Sequence, residues 1–187
     1  MLRLASIRCR ARPAARGSGL KPGGANPHSN APLRAQEGIG GGKEGRRYPD
    51  RPIVGVLAVV LRDERALVVR RSNPPLAGRW GFPGGVLELG ETVAEGAMRE
   101  LIEETGVVAE PSGILTVIDT IDRDDEGRVR YHYTLVGVRG SWRSGEGAPG
   151  DDADEVAWLN RTEIVEGGLP TAPALLPLID LALAHRS

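Results

Sequence analysis

From about residue 48 onward the chain alternates between apolar runs and short polar breaks. IVGVLAVVL, residues 53–61, is almost wholly apolar and rich in β-branched side chains, which predicts a buried strand. Four charges at 62–65 break the run and turn the chain into ALVVRRS, a second strand at 66–72. SNPPLAG, 72–78, reads as a loop from its prolines and glycine. WGFPGGV, 80–86, reads as a short strand or loop. Residues 113–122 and 128–138 predict two further strands, joined by a hairpin turn at DDEG, 124–127. RVRYHYTL alternates outward and inward, as a half-buried strand does, and this sets His132 on the opposite side from Tyr131 and Tyr133. SGEGAPGDDADE, 144–155, predicts a mobile acidic loop, and VAWL a last strand. Residues 173–185 predict a C-terminal helix that Pro177 either kinks or starts. There is no internal repeat.

The period changes in one place. Thr92 and Glu95 form a T-x-x-E capping box, and Gly106 is a natural stop, so residues 93–105 predict one helix. At about 100° per residue, Ala94, Met98, Leu101 and Ile102 fall together and are expected to face the core. Val93, Ala97, Glu100 and Glu104 line a second side, with Glu103 next to it. Like charges at that spacing repel by a few tenths of a kcal/mol in an exposed helix. A solvated acidic face is one reading of that stripe. The other is a site for a hard divalent cation, which relieves the repulsion through oxygen ligands. Arg99 lies four residues from both Glu95 and Glu103 and can fix a glutamate through a two-pronged contact.

Composition narrows the setting. Of 187 residues, 40% are hydrophobic and 26% charged, as in ordinary globular proteins. The apolar run at 53–61 is too short to span a bilayer. A lone cysteine, Cys9, cannot form an internal disulfide, which suits a reducing compartment such as the cytoplasm. The net charge of −1 divides unevenly: residues 1–47 hold ten Lys+Arg against two Glu, and the remainder is correspondingly acidic. Residues 1–47, rich in Arg, Gly and Pro, predict a disordered basic extension. Its first 36 residues lack any acid, as in organellar transit peptides. A nucleic-acid arm, or an extension without function, fits the same composition. GIGGGKEG, 38–45, lacks the Gly and the Ser or Thr of a phosphate loop and reads as a linker. An acidic body binds a polyanion poorly unless divalent cations intervene.

The stretch from 85 to 107 resembles the Nudix box, G-x5-E-x7-R-E-U-x-E-E-x-G-U, where U is a bulky aliphatic residue. Gly85, Glu91, Arg99, Glu100, Leu101, Glu103, Glu104, Gly106 and Val107 occupy its positions. The wider resemblance, from about Arg51 to Leu183, is to the bacterial group labelled ADP-ribose pyrophosphatase-like, on RPIVGV, WGFPGG, YHYTLV and DDADEVAWL. It implies an α/β/α sandwich for residues 48–187, with a mixed central sheet and the box helix on one face. It also implies a Mg²⁺- or Mn²⁺-dependent hydrolase of nucleoside diphosphates linked to a second group. Metal ligation would fall to Glu100, Glu103, Glu104 and a carbonyl near Gly85, with Glu91 supporting. Catalysis would fall to Glu103, Glu104 and Arg99, the general base being a box glutamate or an acid among Asp151, Asp152, Asp154 and Glu155.

Substrate residues are less constrained. Arg70, Arg71 and Arg79 either hold phosphate or are solvent-facing strand ends. Trp80 and Phe82 either stack a base or pack the core. His132 either meets substrate or simply decorates the sheet. We take Arg70, Arg79, Trp80, His132 and Asp152 as the substrate-binding set. Positions where the ADP-ribose and diadenosine polyphosphate subgroups carry a proline and a tyrosine hold Asp122, Arg123 and Asp124 here. The partner expected is a small nucleotide, with nucleic acid and membrane disfavoured and a homodimer open. An oxidised nucleoside triphosphate is the alternative substrate, and a nucleotide sensor that does not cut is the rival role.

Overall fold

A strand that is apolar on both faces must be covered on both, and Ile53–Arg62 (β1) lies inside a mixed seven-stranded sheet. The computed structural model describes residues 46–150 and 152–185, so the expectations for residues 1–45 and for Asp151 lie outside it. After β1 come β2 (Arg65–Arg71), β3 (Trp80–Gly81), β4 (Gly84–Val86), α1 (Val93–Thr105), β5 (Val108–Arg123) and β6 (Val129–Ser144). The chain then forms β7 (Ala153–Leu159), α2 (Arg161–Glu166) and α3 (Leu175–Ala184). β1 runs parallel to β6, and β6 pairs antiparallel with β5 in a long hairpin. β2 pairs antiparallel with both β3 and β7.

β1 and β2 share only the register pairs Leu61↔Ala66 and Arg62↔Arg65. Further back, β1 pairs instead with β4, Gly55–Leu57 against Gly84–Val86. That exchange of partners carries the Gly84–Gly85 backbone in beside α1.

Alternation along the strands separates two cores. Val56, Ala58, Val60 and Leu67 face Ala97 and Leu101 of α1, joined by Val136 and Val138. Val59, Ala66 and Val68 face the other way, onto Ile164 of α2 and Leu175, Leu178 and Ile179 of α3. Each fully buried aliphatic side chain contributes about 1.5–3 kcal/mol relative to exposure. The result is helix on both faces of a mixed sheet, as expected. Among the described residues no helix is long and apolar enough to cross a membrane.

α1 spans the expected residues, with both halves of the capping box formed and Gly106 left-handed at φ 66°. Several expectations change. Ile102 is 50% exposed, because the helix turns Ala97, Leu101 and Glu104 onto the sheet and leaves Ile102 on the outer flank. β5 and β6 run well beyond 113–122 and 128–138, since they pair with each other past the edge of the core. Residues 129–135 are half-buried throughout, with Tyr131 and Tyr133 stacked on one side as the strand alternation requires. The segment 144–155 is not a free loop. Its backbone is bonded to the end of α1, and β7 begins within it at Ala153. α2 adds to the predicted elements. It is a short helix with its own capping box, Asn160 to Glu163. Pro177 sits in the first turn of α3, where its missing N–H costs nothing.

Candidate active site

α1 presents its charged stripe to β4. Glu104 is the most deeply placed of these groups at 4% exposure. Its Oε2 accepts the Gly84 N–H at 3.1 Å. Burial pushes its pKa up to about 7, and the neighbouring charges of Glu100 and Asp152 add to that. The Arg71 guanidinium and the Gly84 amide act in the opposite direction. Glu100 is also raised, by burial first, with Arg99 opposing. Its carboxylate fills the space beside Gly85: a Cβ added there would stand 2.2 Å from Glu100 Oε1. Glycine at 85 is therefore a steric requirement of the carboxylate's position.

Arg99 gathers three carboxylates. Its Nη2 is 2.8 Å and its Nε 3.1 Å from the two oxygens of Glu91. Its Nη1 reaches Glu100 at 2.9 Å and Glu103 at 3.1 Å. The guanidinium holds the Glu91 carboxyl below the usual range, helped by the Glu88 N–H. It also touches the Val86 carbonyl at 3.3 Å, so it links the helix to the strand. The pairing of Arg99 with Glu95 that their spacing allows does not occur. Glu95 is engaged by Thr92, whose N–H and hydroxyl both meet its Oε2 at 2.8 Å.

The remaining candidates divide. Asp152 belongs to the cluster: it accepts Asn73 Nδ2 at 2.7 Å, its carbonyl accepts Ser72 N–H at 3.2 Å, and its charge acts on Glu104. Arg70 instead pairs with Glu155 at 2.7 Å. Arg79 donates to Thr171 O at 3.0 Å. Trp80 is 6% exposed in the core of the opposite face, which leaves no ring surface to stack a base. Residues 170–172 bury it through Trp80 N–H to Pro170 O and Ala172 N–H to Trp80 O, both 2.8 Å. Phe82 is buried in the same core. His132 sits half-buried on β6 across from Ile121. The arginine that does reach the site is Arg71, which donates to Gly84 O at 3.2 Å and faces Glu104 and Glu100 electrostatically. The sequence names Arg71 among three arginines that could hold phosphate, but nothing in it singles Arg71 out from Arg70 and Arg79. Asp122 and Asp124 serve the β5–β6 turn, paired with Arg130 and Arg128.

A family model of the NUDIX domain matches residues 51–179. The chain belongs to the Nudix hydrolase family. Nudix relatives include an ADP-ribose pyrophosphatase of Methanocaldococcus jannaschii, 37% identical over 109 residues, 58% of this chain and 62% of that protein. The 8-oxo-dGDP phosphatase NUDT18 of Homo sapiens is 30% identical over 135 residues, 70% of this chain and 39% of that one. The chain thus spans less than two thirds of either curated relative. Among solved Nudix structures, the NUDIX domain of Shewanella oneidensis NrtR, complexed with ADP ribose, aligns at a TM-score of 0.58 and 25% identity. That match covers 73% of this chain and 90% of the other.

Proposed function

We propose that this Nudix domain hydrolyses the pyrophosphate of a nucleoside diphosphate linked to a second group, with ADP-ribose or a nucleotide sugar first. The observation that carries the reading is the pair of buried Glu104 and half-buried Glu100, set against the Gly84–Gly85 backbone and flanked by Arg71 and Arg99. Crowded carboxylates in a low dielectric cost stability unless a cation joins them. Relatives named for ADP-ribose, and the ADP ribose held by the related NrtR domain, support the substrate class.

Hydrolases of this family generally use divalent metal ions. The donor set here, hard carboxylate oxygens, fits Mg²⁺ or Mn²⁺. Glu100, Glu103 and Glu104 would hold the ion, with a carbonyl at Gly85. Among the described residues no three such side chains already converge. Glu103, 54% exposed at its side chain and held by Arg99, has the most room to turn toward an ion. When bound, the ion would screen phosphate oxygens and lower the pKa of a coordinated water.

The chain's own residues do the rest. Arg99 fixes the rotamers of Glu91 and Glu100. Arg71 brings positive charge to a phosphate beside Glu104. The Gly84 N–H orients the Glu104 carboxylate. Held by the Gly84 N–H, the Glu104 carboxylate would accept a proton from an attacking water, and Asp152 faces it from the neighbouring loop.

A second reading, an oxidised purine nucleotide as substrate, is favoured by one observation. The 8-oxo-dGDP phosphatase match covers 70% of this chain, against 58% for the ADP-ribose one. The test is product release by the full chain with Mg²⁺ or Mn²⁺. The substrates are ADP-ribose, nucleotide sugars, and normal and oxidised nucleoside di- and triphosphates, with Glu104→Gln alongside. Turnover of one class, lost in the variant, supports the hydrolase and names the class. Nucleotide binding without turnover of any would replace it with a sensing role.

A further inference from the structure

The last turn of α1, which carries Glu103 and Glu104, has a second support outside the box. Residues 145–150 pass beside it and donate two backbone hydrogen bonds into it. Ala148 N–H reaches Thr105 O at 2.9 Å, and Gly150 N–H reaches Glu104 O at 2.9 Å. The approach is so close that a Cβ on Gly150 would stand 2.0 Å from Glu103 O. The same segment leads directly to Asp152. Its near end is tied to Arg62, at the far end of β1 from Gly55 and its β4 partner. The Arg62 guanidinium lies 4.6 Å from the Trp158 ring centre and 5.2 Å from that of Trp142. It also reaches both oxygens of Glu146, at 2.9 and 3.0 Å. Each indole N–H is spent on the same segment, Trp142 on Gly145 O at 2.9 Å and Trp158 on Glu146 O at 2.7 Å.

An exposed ion pair alone would mean little. Here the cation rests against two aromatic rings from β6 and β7, and both rings hold the segment by hydrogen bonds. The arrangement fixes where 145–150 starts, and its backbone then fixes the end of α1 and the approach to Asp152.

We propose that Arg62 is a positioning residue for the reaction. Through Trp142, Trp158 and Glu146 it sets the 145–150 strap against the last turn of α1, and so sets Glu104 and Asp152 relative to each other. This rests on the hydrolase reading above, but half of its test does not.

In the full-length chain, amide hydrogen exchange at Ala148 and Gly150 is compared with that of the β1–β6 ladder. The variants are Arg62→Ala, Arg62→Lys and Trp158→Phe, all without substrate. Arg62→Ala and Trp158→Phe should each speed exchange at those two amides by about tenfold while the β1–β6 amides stay unchanged, the pattern of a local opening. With the best substrate, Arg62→Ala should lower kcat by about tenfold at nearly constant KM, within what a misplacement of about 1 Å costs. Arg62→Lys, which keeps the cation over the rings, should recover part of kcat. Unchanged exchange at Ala148 and Gly150 would overturn the strap, and faster exchange with unchanged kcat would overturn its role in the reaction. If Arg62→Ala also loosens the β1–β6 ladder, Trp158→Phe decides: its failure to speed those two amides selectively overturns the proposal. A wild-type chain that turns over nothing removes the hydrolase reading, and with it the kinetic role, while exchange still tests the strap.

Discussion

The two faces of the central sheet are covered alike and filled differently. Toward α2 and α3, the buried residues include Val59, Val68, Trp80, Phe82, Ile164, Leu175, Leu178 and Ile179, with no charge among them. Toward α1, the same kinds of aliphatic side chain meet Ala97 and Leu101, and then Glu104 at 4% exposure. The dry face supplies stability. The α1 face gives some of it up to hold a carboxyl out of water, where its pKa rises toward neutrality. On the proposed reading, stability and reactivity are set on opposite sides of one sheet, and they should respond to different substitutions.

The largest expected effect on the charged face is Glu104→Gln. It keeps the Gly84 N–H contact and removes the titratable oxygen, so kcat should fall about 1000-fold, or about 4 kcal/mol in barrier. Melting of the same metal-free variant at pH 8 should show stability equal to or above that of the parent, because a buried charge has gone. A variant that is both inactive and unstable would merge the two faces again.

Next comes pH. The folded-state pKa of Glu104 is raised, from 4.5 to about 7. Its contribution to stability is therefore fully present below pH 4.5 and is lost as pH rises to about 7, by about 3 kcal/mol at about 1.4 kcal/mol per unit. Denaturant melts of the metal-free chain across that window, against Glu104→Gln, isolate the effect. Divalent cation favours the ionised form, so it should restore stability at pH 7–8 and move the rising limb of the activity profile to lower pH.

On the dry face, Leu178→Ala removes a side chain that is 1% exposed and should cost about 3 kcal/mol of unfolding free energy. KM and kcat, measured well below the new midpoint, should stay within about twofold, since a distant cavity leaves the site's contacts intact. The smallest effect belongs to α2: Asn160→Ala removes a cap that accepts the Glu163 N–H at 2.8 Å and should cost about 1 kcal/mol, read by chemical denaturation.

Local signals in this sequence are legible, and long-range ones are not. The ends of α1 are encoded by Thr92, Glu95 and Gly106, each acting on backbone within a few residues, so both its limits and its caps are visible. α2 carries the same kind of capping box, but with only Ile164 buried it has no hydrophobic period to draw attention. Arg71 illustrates the opposite limit. Strand alternation sends Arg70 to Glu155 and Arg71 to Gly84, and a register shift in the β2–β7 pairing falls between the two. No residue in β2 announces it. Trp80 departs from the substrate set for a related reason, since the segment that covers it, 170–172, lies about ninety residues downstream. The tether of 145–150 depends on Arg62, Trp142 and Trp158, which are scattered over three strands. The acidic sequence alone makes that segment look free.

β5 pairs with β6 along one side, and its outer edge bears on how the chain behaves among its own copies. A long strand that pairs on one side only among the described residues, and with Ile114, Val117 and Ile121 about half exposed, is a ready template for another strand. Four register irregularities interrupt it, and Pro111 lacks an N–H to offer. The longest regular stretch left, Thr116 to Asp122, has Asp119 at its middle. A foreign strand finds no long, flat, uncharged row to copy. The unevenness of this hairpin therefore works as protection against sheet-to-sheet aggregation, along the edge where such pairing would otherwise start.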